Sequence, residues 1–382
     1  MKVVHVTVSS ALEWGGPPRT VRDLTSGLSR LGVDSVIVTL DQASTNSLAF
    51  ATQIPVRRCS GVTIGKLGLP GDLDLAKALL DEIKTADVVH LHELWHVPQA
   101  LGAVIARVCE CPFVVTPHGE LNEWALIQHR LLKRLGIRTY QRYVLKQASE
   151  IHALTESEAV SVRSIGLKPP VTIIPNGIDL NLVEEALTKV RSITEPFKNP
   201  PARYILYLAR LARGKGLNVL LDAFAIVCHR RHDVSLVIAG PDSEDMLKAT
   251  LEHVKRSGIE DRVVYLGVVE EPEKFRLIAN ADVYALPSIS EGMSMSIVES
   301  LACGTPVVIT PGCNLPEVHT ARAGFVVQRT PVAIADAILR ILDDPDLRAS
   351  MARNARSLAV TRFSSESVAA EMQGLYRRIV HR

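Results

Sequence analysis

The chain has 382 residues, of which 47% are hydrophobic but only 4% aromatic, and its formal net charge is +2. That length predicts two or three domains, and the composition suits large Val, Leu, Ile and Ala cores of α/β type. A nearly balanced charge gives no ground for a nucleic-acid partner, and no apolar run is long enough for a membrane span. The six cysteines (Cys59, Cys109, Cys111, Cys228, Cys303, Cys313) lack the spacing of a disulfide framework, which predicts reduced thiols in a cytoplasm.

Residues 3–8 are too short and interrupted for a signal peptide and predict a first strand. A loop containing Gly15 and Gly16 follows, then Val21, Leu24, Leu28 and Leu31 at helical spacing. Gly15-Gly16 is not the dinucleotide pattern G-x-G-x-x-G, so a plain strand-to-helix turn and a ligand loop both remain open. Residues 35–40 predict a second strand, 72–84 a helix and 87–91 a third strand. Asp72-Leu73-Asp74 spells D-x-D, yet it opens a helix after Pro70-Gly71, where an aspartate caps the N-terminus.

His92-Glu93-Leu94-Trp95-His96 spells H-E-x-x-H, the zinc metalloprotease pattern. That chemistry needs both histidines one turn apart on a helix. Here the motif directly follows an apolar strand and Pro98 stands just beyond it, which argues against a helix through it. The strand-end reading puts His92 and Glu93 at the carboxyl edge of a sheet, where α/β proteins bind ligands. Residues 113–116 predict a further strand emptying into Pro117-His118-Gly119, with Trp124 six residues beyond His118. A single histidine after a strand is either a satisfied structural residue or a site residue.

No acidic residue lies between Glu123 and Glu150, whereas Arg130, Lys133, Arg134, Arg138, Arg142 and Lys146 are basic and interleave with apolar positions. The stretch 126–147 is therefore a basic amphipathic segment. It suits an anionic bilayer or a lipid-pyrophosphate acceptor, and equally a core-facing stripe with a solvated basic face. Residues 150–155 and 171–174 predict strands around a helix at 157–165, and Pro175-Asn176-Gly177-Ile178-Asp179 predicts a turn. The segment with Pro196, Pro200 and Pro201 predicts an interdomain linker.

A second α/β unit begins with a strand at 204–209, a cationic loop from Arg210 to Gly216 and a helix at 217–227. Arg210 can meet a diphosphate with a planar fork and Lys215 with a point charge. After strands at 235–239 and 263–266, the apolar runs 281–286 and 307–310 bracket a loop and a helix predicted at 293–303, with Gly304 at C′ and Pro306 as the stop. The helix entrance, Gly292, Met293, Ser294, Met295 and Ser296, offers unpaired N–H groups and small side chains to a phosphate. Glu291 and Glu299 would repel that phosphate, so they are assigned to neutral hydroxyls. Helices at 331–342, 346–360 and 364–380 complete the chain.

Ser290-Glu291-Gly292 followed by Glu299 through Val308 resembles the E-x7-E signature of the retaining glycosyltransferases of family 4. Pro117-His118-Gly119, Pro175 to Asp179 and the Arg210 to Gly216 loop resemble that family's other motifs, in the expected order. Met293-Ser294 stands where the family has Phe-Gly, and Ala209 where it has glycine. The resemblance implies a GT-B fold: two Rossmann-like domains facing across a cleft, with the C-terminal helix crossing back to the first. It implies an N-terminal acceptor-side domain at 1–180, a linker at 181–202, a nucleotide-sugar domain at 203–363 and a returning helix at 364–382.

The implied activity is retaining, metal-independent hexosyl transfer from a nucleoside diphosphate sugar to a glycan or lipid-linked acceptor in polysaccharide biosynthesis. UDP-glucose is the favoured donor and GDP-mannose the next. Cofactor and metal are expected to be absent, and the protein cytoplasmic or peripheral on the inner face of the plasma membrane. By resemblance Glu291 approaches the donor sugar's hydroxyls and Glu299 holds the ribose. Arg210 and Lys215 meet the diphosphate, Gly240 passes the nucleotide and Val269 lies by the base. His118 contacts the sugar or transition state, Gly119 offers its backbone, and Gly15 and Gly16 face donor or acceptor. His92, Glu93 and Trp124 are taken as acceptor-side groups. The competing readings are a nucleotide-sugar epimerase of the same fold, a zinc hydrolase using His92 and His96, and a non-catalytic sugar-nucleotide sensor.

Overall fold

The computed structural model describes residues 1–10, 16–40, 54–59, 73–127, 136, 139–188, 201 and 203–381. Internal contacts divide the chain into two compact units, Met1–Asp179 with Ser365–Arg382, and Leu180–Ser364.

The first unit is built on a parallel sheet of β1 (Lys2–Val6), β2 (Asp34–Thr39), β3 (Val56–Arg58), β4 (Val88–His92), β5 (Phe113–Thr116), β6 (Glu150–Ala153) and β7 (Val171–Ile173). Their order is β3-β2-β1-β4-β5-β6-β7, so the chain reverses direction of growth beside β1. Strands buried on both faces need apolar side chains at nearly every position, which explains the runs that mark β1, β4 and β5 in the sequence. Val4, Val6, Val89, Leu91 and Val115 pack into one core cluster, and Val3, Val88 and Val114 into another.

The second cluster is completed by Leu24 and Leu28 of the helix Gly16–Arg30 and by Met372, Leu375, Tyr376 and Ile379 of the helix Ser365–Val380. Each fully buried Leu or Ile side chain contributes about 1.5–3 kcal/mol, so the last helix is part of this unit's core. Gly27 lets the two helices touch, since a Cβ there would lie 2.3 Å from the Ser365 carbonyl oxygen. The short edge strand β3 was not anticipated; its three residues Val-Arg-Arg carry one apolar side chain and no periodic signal.

The second unit is a six-stranded parallel sheet of β8 (Tyr204–Leu208), β9 (Ser235–Ala239), β10 (Val263–Tyr265), β11 (Val283–Leu286), β12 (Val307–Ile309) and β13 (Gly324–Val326), ordered β10-β9-β8-β11-β12-β13. It repeats the Rossmann-like plan: the strand with the first loop, β8, lies between the two directions of winding. The expected linker needs correction, because Leu180–Thr188 is a helix that packs on Glu273–Ala279, where Arg276 Nε donates to the Ala186 carbonyl at 3.0 Å. Val183 and Ala186, three residues apart, supply its buried stripe. Residues 189–200 of that segment lie outside the described residues, as does Asp72, whose helix is Leu73–Ile83 with Asp74 in its first turn.

Candidate functional site

In the second unit the loops after β8 and β11 are fastened together. The loop after β8 contains a short turn at Arg213–Lys215, then Gly216 at φ 74°, where a Cβ would lie 2.0 Å from the Pro287 carbonyl oxygen. Only glycine permits this approach. It sets Lys215 beside Glu291: Lys215 Nζ donates to Oε1 at 2.7 Å and to Oε2 at 2.6 Å. Ser288 Oγ also donates to Oε1, Glu291 N–H donates to the Gly312 carbonyl at 2.8 Å, and Asn314 Nδ2 donates to the Glu291 carbonyl at 2.6 Å. Glu291 is buried and Lys215 nearly so. The predicted phosphate cation and the predicted sugar carboxylate are thus one ion pair.

The helix after this loop runs Met295–Ala302, two residues shorter at its start than the sequence indicated, with Ser294 at its N-cap in extended conformation. Its first N–H groups point into the loop that carries Gly292 and Met293, the arrangement that favours an anion. Ser294 and Ser296 hydroxyls lie 3.1 Å apart, and Ser296 pairs with Tyr284 Oη at 2.7 Å. Glu299, one turn further on and buried, accepts from Lys274 Nζ at 2.7 Å. Arg210 is exposed, and its guanidinium makes no ion pair among the described residues. Gly240, at φ 135°, would place a Cβ 2.0 Å from the Ala209 carbonyl, so β8 and β9 end in contact beside Arg210. Val269 lies in the loop beyond β10.

In the first unit the carboxyl ends of β1, β4, β5 and β6 bring together His5, His90, His92, His118, His152 and Thr116. His152 Nε2 meets the Ile174 carbonyl at 2.7 Å and must donate, because a carbonyl only accepts. Its Nδ1 therefore accepts from Thr116 Oγ1 at 2.7 Å, Thr116 Oγ1 accepts from His90 Nε2 at 2.6 Å, and His90 Nδ1 accepts from Tyr376 Oη at 2.6 Å. A second row links His5 Nδ1 to His92 Nε2 at 3.1 Å and His92 Nδ1 to His118 Nε2 at 3.2 Å. Burial holds every imidazole neutral: His5 and His118 are lowered to about 3 and His152 to about 4, and His90 and His92 are lowered well below the usual value, by burial and then by neighbouring histidines.

His5, His90 and His92 have the spacing of a metal-ligand trio; both His90 nitrogens are hydrogen-bonded, to Tyr376 and Thr116, and both His92 nitrogens, to His5 and His118, whereas His5 Nε2 is buried without a hydrogen-bond partner among the described residues. The H-E-x-x-H reading fails on the backbone: His92 ends β4, Glu93 and Trp95 have φ of 70° and 65°, and His96 is the extended cap of the helix Val97–Val108. His118, at φ 52° and followed by Gly119 at 82°, is held in the left-handed region by Glu158, whose carboxylate accepts from the Gly119 and Leu154 N–H groups. Strain of this kind accumulates where a loop is fixed for a task.

The acceptor-side expectations fare unevenly. His92 is only 1% exposed, with Nδ1 3.2 Å from His118 Nε2. Glu93 accepts from Thr7 Oγ1 at 3.2 Å and Val8 N–H at 3.3 Å, tying β1 to β4, and burial pushes its carboxyl up to about 7. Trp124 is partly exposed on the short helix Glu123–Ile127. Gly16 opens the first helix, while Gly15 lies outside the described residues. Sequence reading missed Thr116, His152, His5, His90 and Lys274. Histidines within apolar strands were the available signal for His5, His90 and His152.

The neutral histidines give the first unit an acid limit. A depressed histidine pKa adds stability above about 6.5 that is lost as pH falls toward the folded value, at about 1.4 kcal/mol per pH unit for each group. Glu93 acts oppositely: its contribution is complete below about 4.5 and is lost as pH rises through about 7. Unfolding of the first unit, followed by denaturant midpoint between pH 7 and 5, should fall with acid, and His5→Gln should reduce the slope by about one proton. An unchanged slope would contradict the neutral, buried assignment.

The model described as "Glycosyl transferases group 1" matches residues 191–358, and that described as "Glycosyl transferase 4-like domain" matches residues 15–177. An alpha-D-kanosaminyltransferase of Streptomyces kanamyceticus is 33% identical over 72% of this chain and 73% of its own. An uncharacterized glycosyltransferase of Methanocaldococcus jannaschii is 28% identical over 99% of this chain and 98% of its own. Among solved structures, Anabaena HepE in complex with UDP and glucose superposes with a TM-score of 0.78 at 21% identity, covering 99% of this chain and all of that one. Sucrose-phosphate synthase from Thermosynechococcus elongatus gives 0.75 at 21% identity, covering all of this chain and 99% of that one. At such identities these structures establish the fold alone.

Proposed function

The chain belongs to the group 1 glycosyl transferases, and from that premise we propose that it moves a hexose from a nucleoside diphosphate sugar to a glycan or lipid-linked acceptor, with retention and without a metal ion. The observation that carries this reading is the Lys215–Glu291 pair set against the start of the helix Met295–Ala302. The bond from the anomeric carbon to the diphosphate oxygen breaks, and the acceptor oxygen bonds that carbon on the same face. The acceptor's proton leaves with the diphosphate. Negative charge grows on the departing diphosphate, and Arg210, Lys215 and the helix-start amides are fixed donors for it. Glu291 orients the sugar hydroxyls, Glu299 takes the ribose, and His118 is the substrate-contacting group of the first unit.

UDP-glucose is the favoured donor and GDP-mannose the next. A relative of 26% identity from Streptomyces kanamyceticus is a 2-deoxystreptamine glucosyltransferase, and one of 25% from Corynebacterium glutamicum is a GDP-mannose-dependent mannosyltransferase, so relatives of both kinds exist. Polysaccharide biosynthesis in a reducing cytoplasm is the proposed setting, consistent with six free thiols. Release of UDP from UDP-glucose in excess EDTA, with GDP-mannose run in parallel, tests the reading. Release should persist in chelator and fall at least about a hundredfold in Glu291→Ala. Loss of release in EDTA, or full release by the variant, would overturn it, and a changed sugar nucleotide with no free diphosphate would favour the epimerase.

We also propose contact with an anionic membrane through the basic stretch at 126–147. No described helix is long and apolar enough to cross a membrane. Ile127 is exposed, and on the helix Tyr140–Gln147 so are Tyr140, Arg142, Tyr143 and Lys146, although residues 128–135, 137 and 138 lie outside the described residues. Aromatic tips with basic neighbours suit the headgroup layer. Sedimentation with phosphatidylserine vesicles at low salt should exceed that with neutral vesicles and fall several-fold in an Arg142→Glu, Lys146→Glu variant; equal sedimentation would refute the contact.

A further inference from the structure

Lys274 is the most deeply buried cation of the second unit, only 2% exposed, on the helix Glu273–Ala279. An ammonium withdrawn from water is tolerated only when its donors are taken up by opposite charge. Here Nζ donates to Glu299 Oε1 at 2.7 Å and to Glu271 Oε1 at 2.9 Å, and lies 4.7 Å from the centre of the Phe275 ring. Glu299 is itself only 4% exposed, on the helix Met295–Ala302, and its Oε2 makes no hydrogen bond to the described residues. Two helices from separate parts of the chain thus carry a buried cation and a buried carboxylate that has one oxygen fixed and one oxygen in reserve.

We propose that Lys274 is a positioning residue of the donor site, holding Glu299 in one orientation so that Oε2 receives the ribose hydroxyls of a nucleoside diphosphate. The proposal rests on the ribose assignment of Glu299 made above. Its physical content is twofold. A carboxylate with one oxygen already bound loses little conformational freedom when the hydroxyls arrive. A carboxylate beside a diphosphate also repels it, and the Lys274 charge cancels that repulsion at contact distance.

The test compares dissociation constants, by calorimetry, of UDP with 2′,3′-dideoxy-UDP and of GDP with 2′,3′-dideoxy-GDP, on wild type, Glu299→Gln, Lys274→Met and Lys274→Gln. Wild type should bind the ribose form of its nucleotide at least about tenfold more tightly than the dideoxy form, the order expected for a charge-assisted hydrogen bond. Glu299→Gln and both Lys274 variants should lose most of that ratio while the dideoxy constants move less than about twofold. Lys274→Gln, close in length and able to donate to Glu299, provides the reading if the methionine variant fails to fold. Equal weakening of both nucleotides by the Lys274 variants, or a retained ratio when Glu299→Gln has lost it, overturns the role of Lys274 alone. A ratio retained in Glu299→Gln overturns the ribose assignment itself.

Discussion

The contact between Lys215 and Glu291 is the constraint on which the second unit's site depends. It joins the loop after β8 to the loop after β11, and it exists because Gly216 allows the first loop to lie against Pro287. Separately, each charge would be costly so far from water; together they neutralise each other. The pair keeps a cation and a carboxylate ready at one place, and in the proposed function a donor with both a diphosphate and a hydroxylated sugar would offer each a new partner. Exchange of partners in this way costs little, because the charges were already organised before the ligand arrived.

The two units solve the problem of buried polar groups differently. In the second, ions are matched: Lys215 with Glu291, Lys274 with Glu299 and Glu271. In the histidine cluster of the first, the buried groups are instead uncharged. Five imidazoles, a threonine and Tyr376 form two hydrogen-bonded rows; the polarity of the row from His152 to Tyr376 is set at the Ile174 carbonyl, and burial keeps the rings neutral. Because Tyr376 lies on the last helix, the end of the chain contributes both to the core and to the orientation of the histidine wall. A wall of neutral rings behind His118 leaves that residue uncharged as well, suited to hydrogen bonding rather than to proton abstraction at ordinary pH.

Much of this was legible in the sequence where the signal is local. Apolar runs marked β1, β4, β5, β8, β9 and β11, and Gly304 with Pro306 fixed the end of the helix after Glu291. The H-E-x-x-H pattern was rightly placed at a strand end, since Pro98 allows a helix to begin there but not to run through. What escaped depended on distance along the chain. His5, His90 and His152 look like odd polar residues in apolar strands until the order β1-β4-β5-β6 sets them side by side. Lys274 is one basic residue among many until its helix meets Glu299, 25 residues later. Arg210 and Lys215 both read as cations for a diphosphate, but among the described residues only Lys215 is already ion-paired, a matter of loop geometry. His92 was placed at the carboxyl edge of the sheet and does end β4, but its burial was not legible in the sequence.

A double-mutant cycle on nucleotide release, using Lys215→Met, Glu291→Gln and the double variant with the preferred donor, tests the central claim most directly. If the two side chains act as one unit, each single change lowers kcat/KM by about a hundredfold and the double change by little more than the worse single, well short of the roughly ten-thousandfold product. Losses that multiply would show two independent groups and contradict the account.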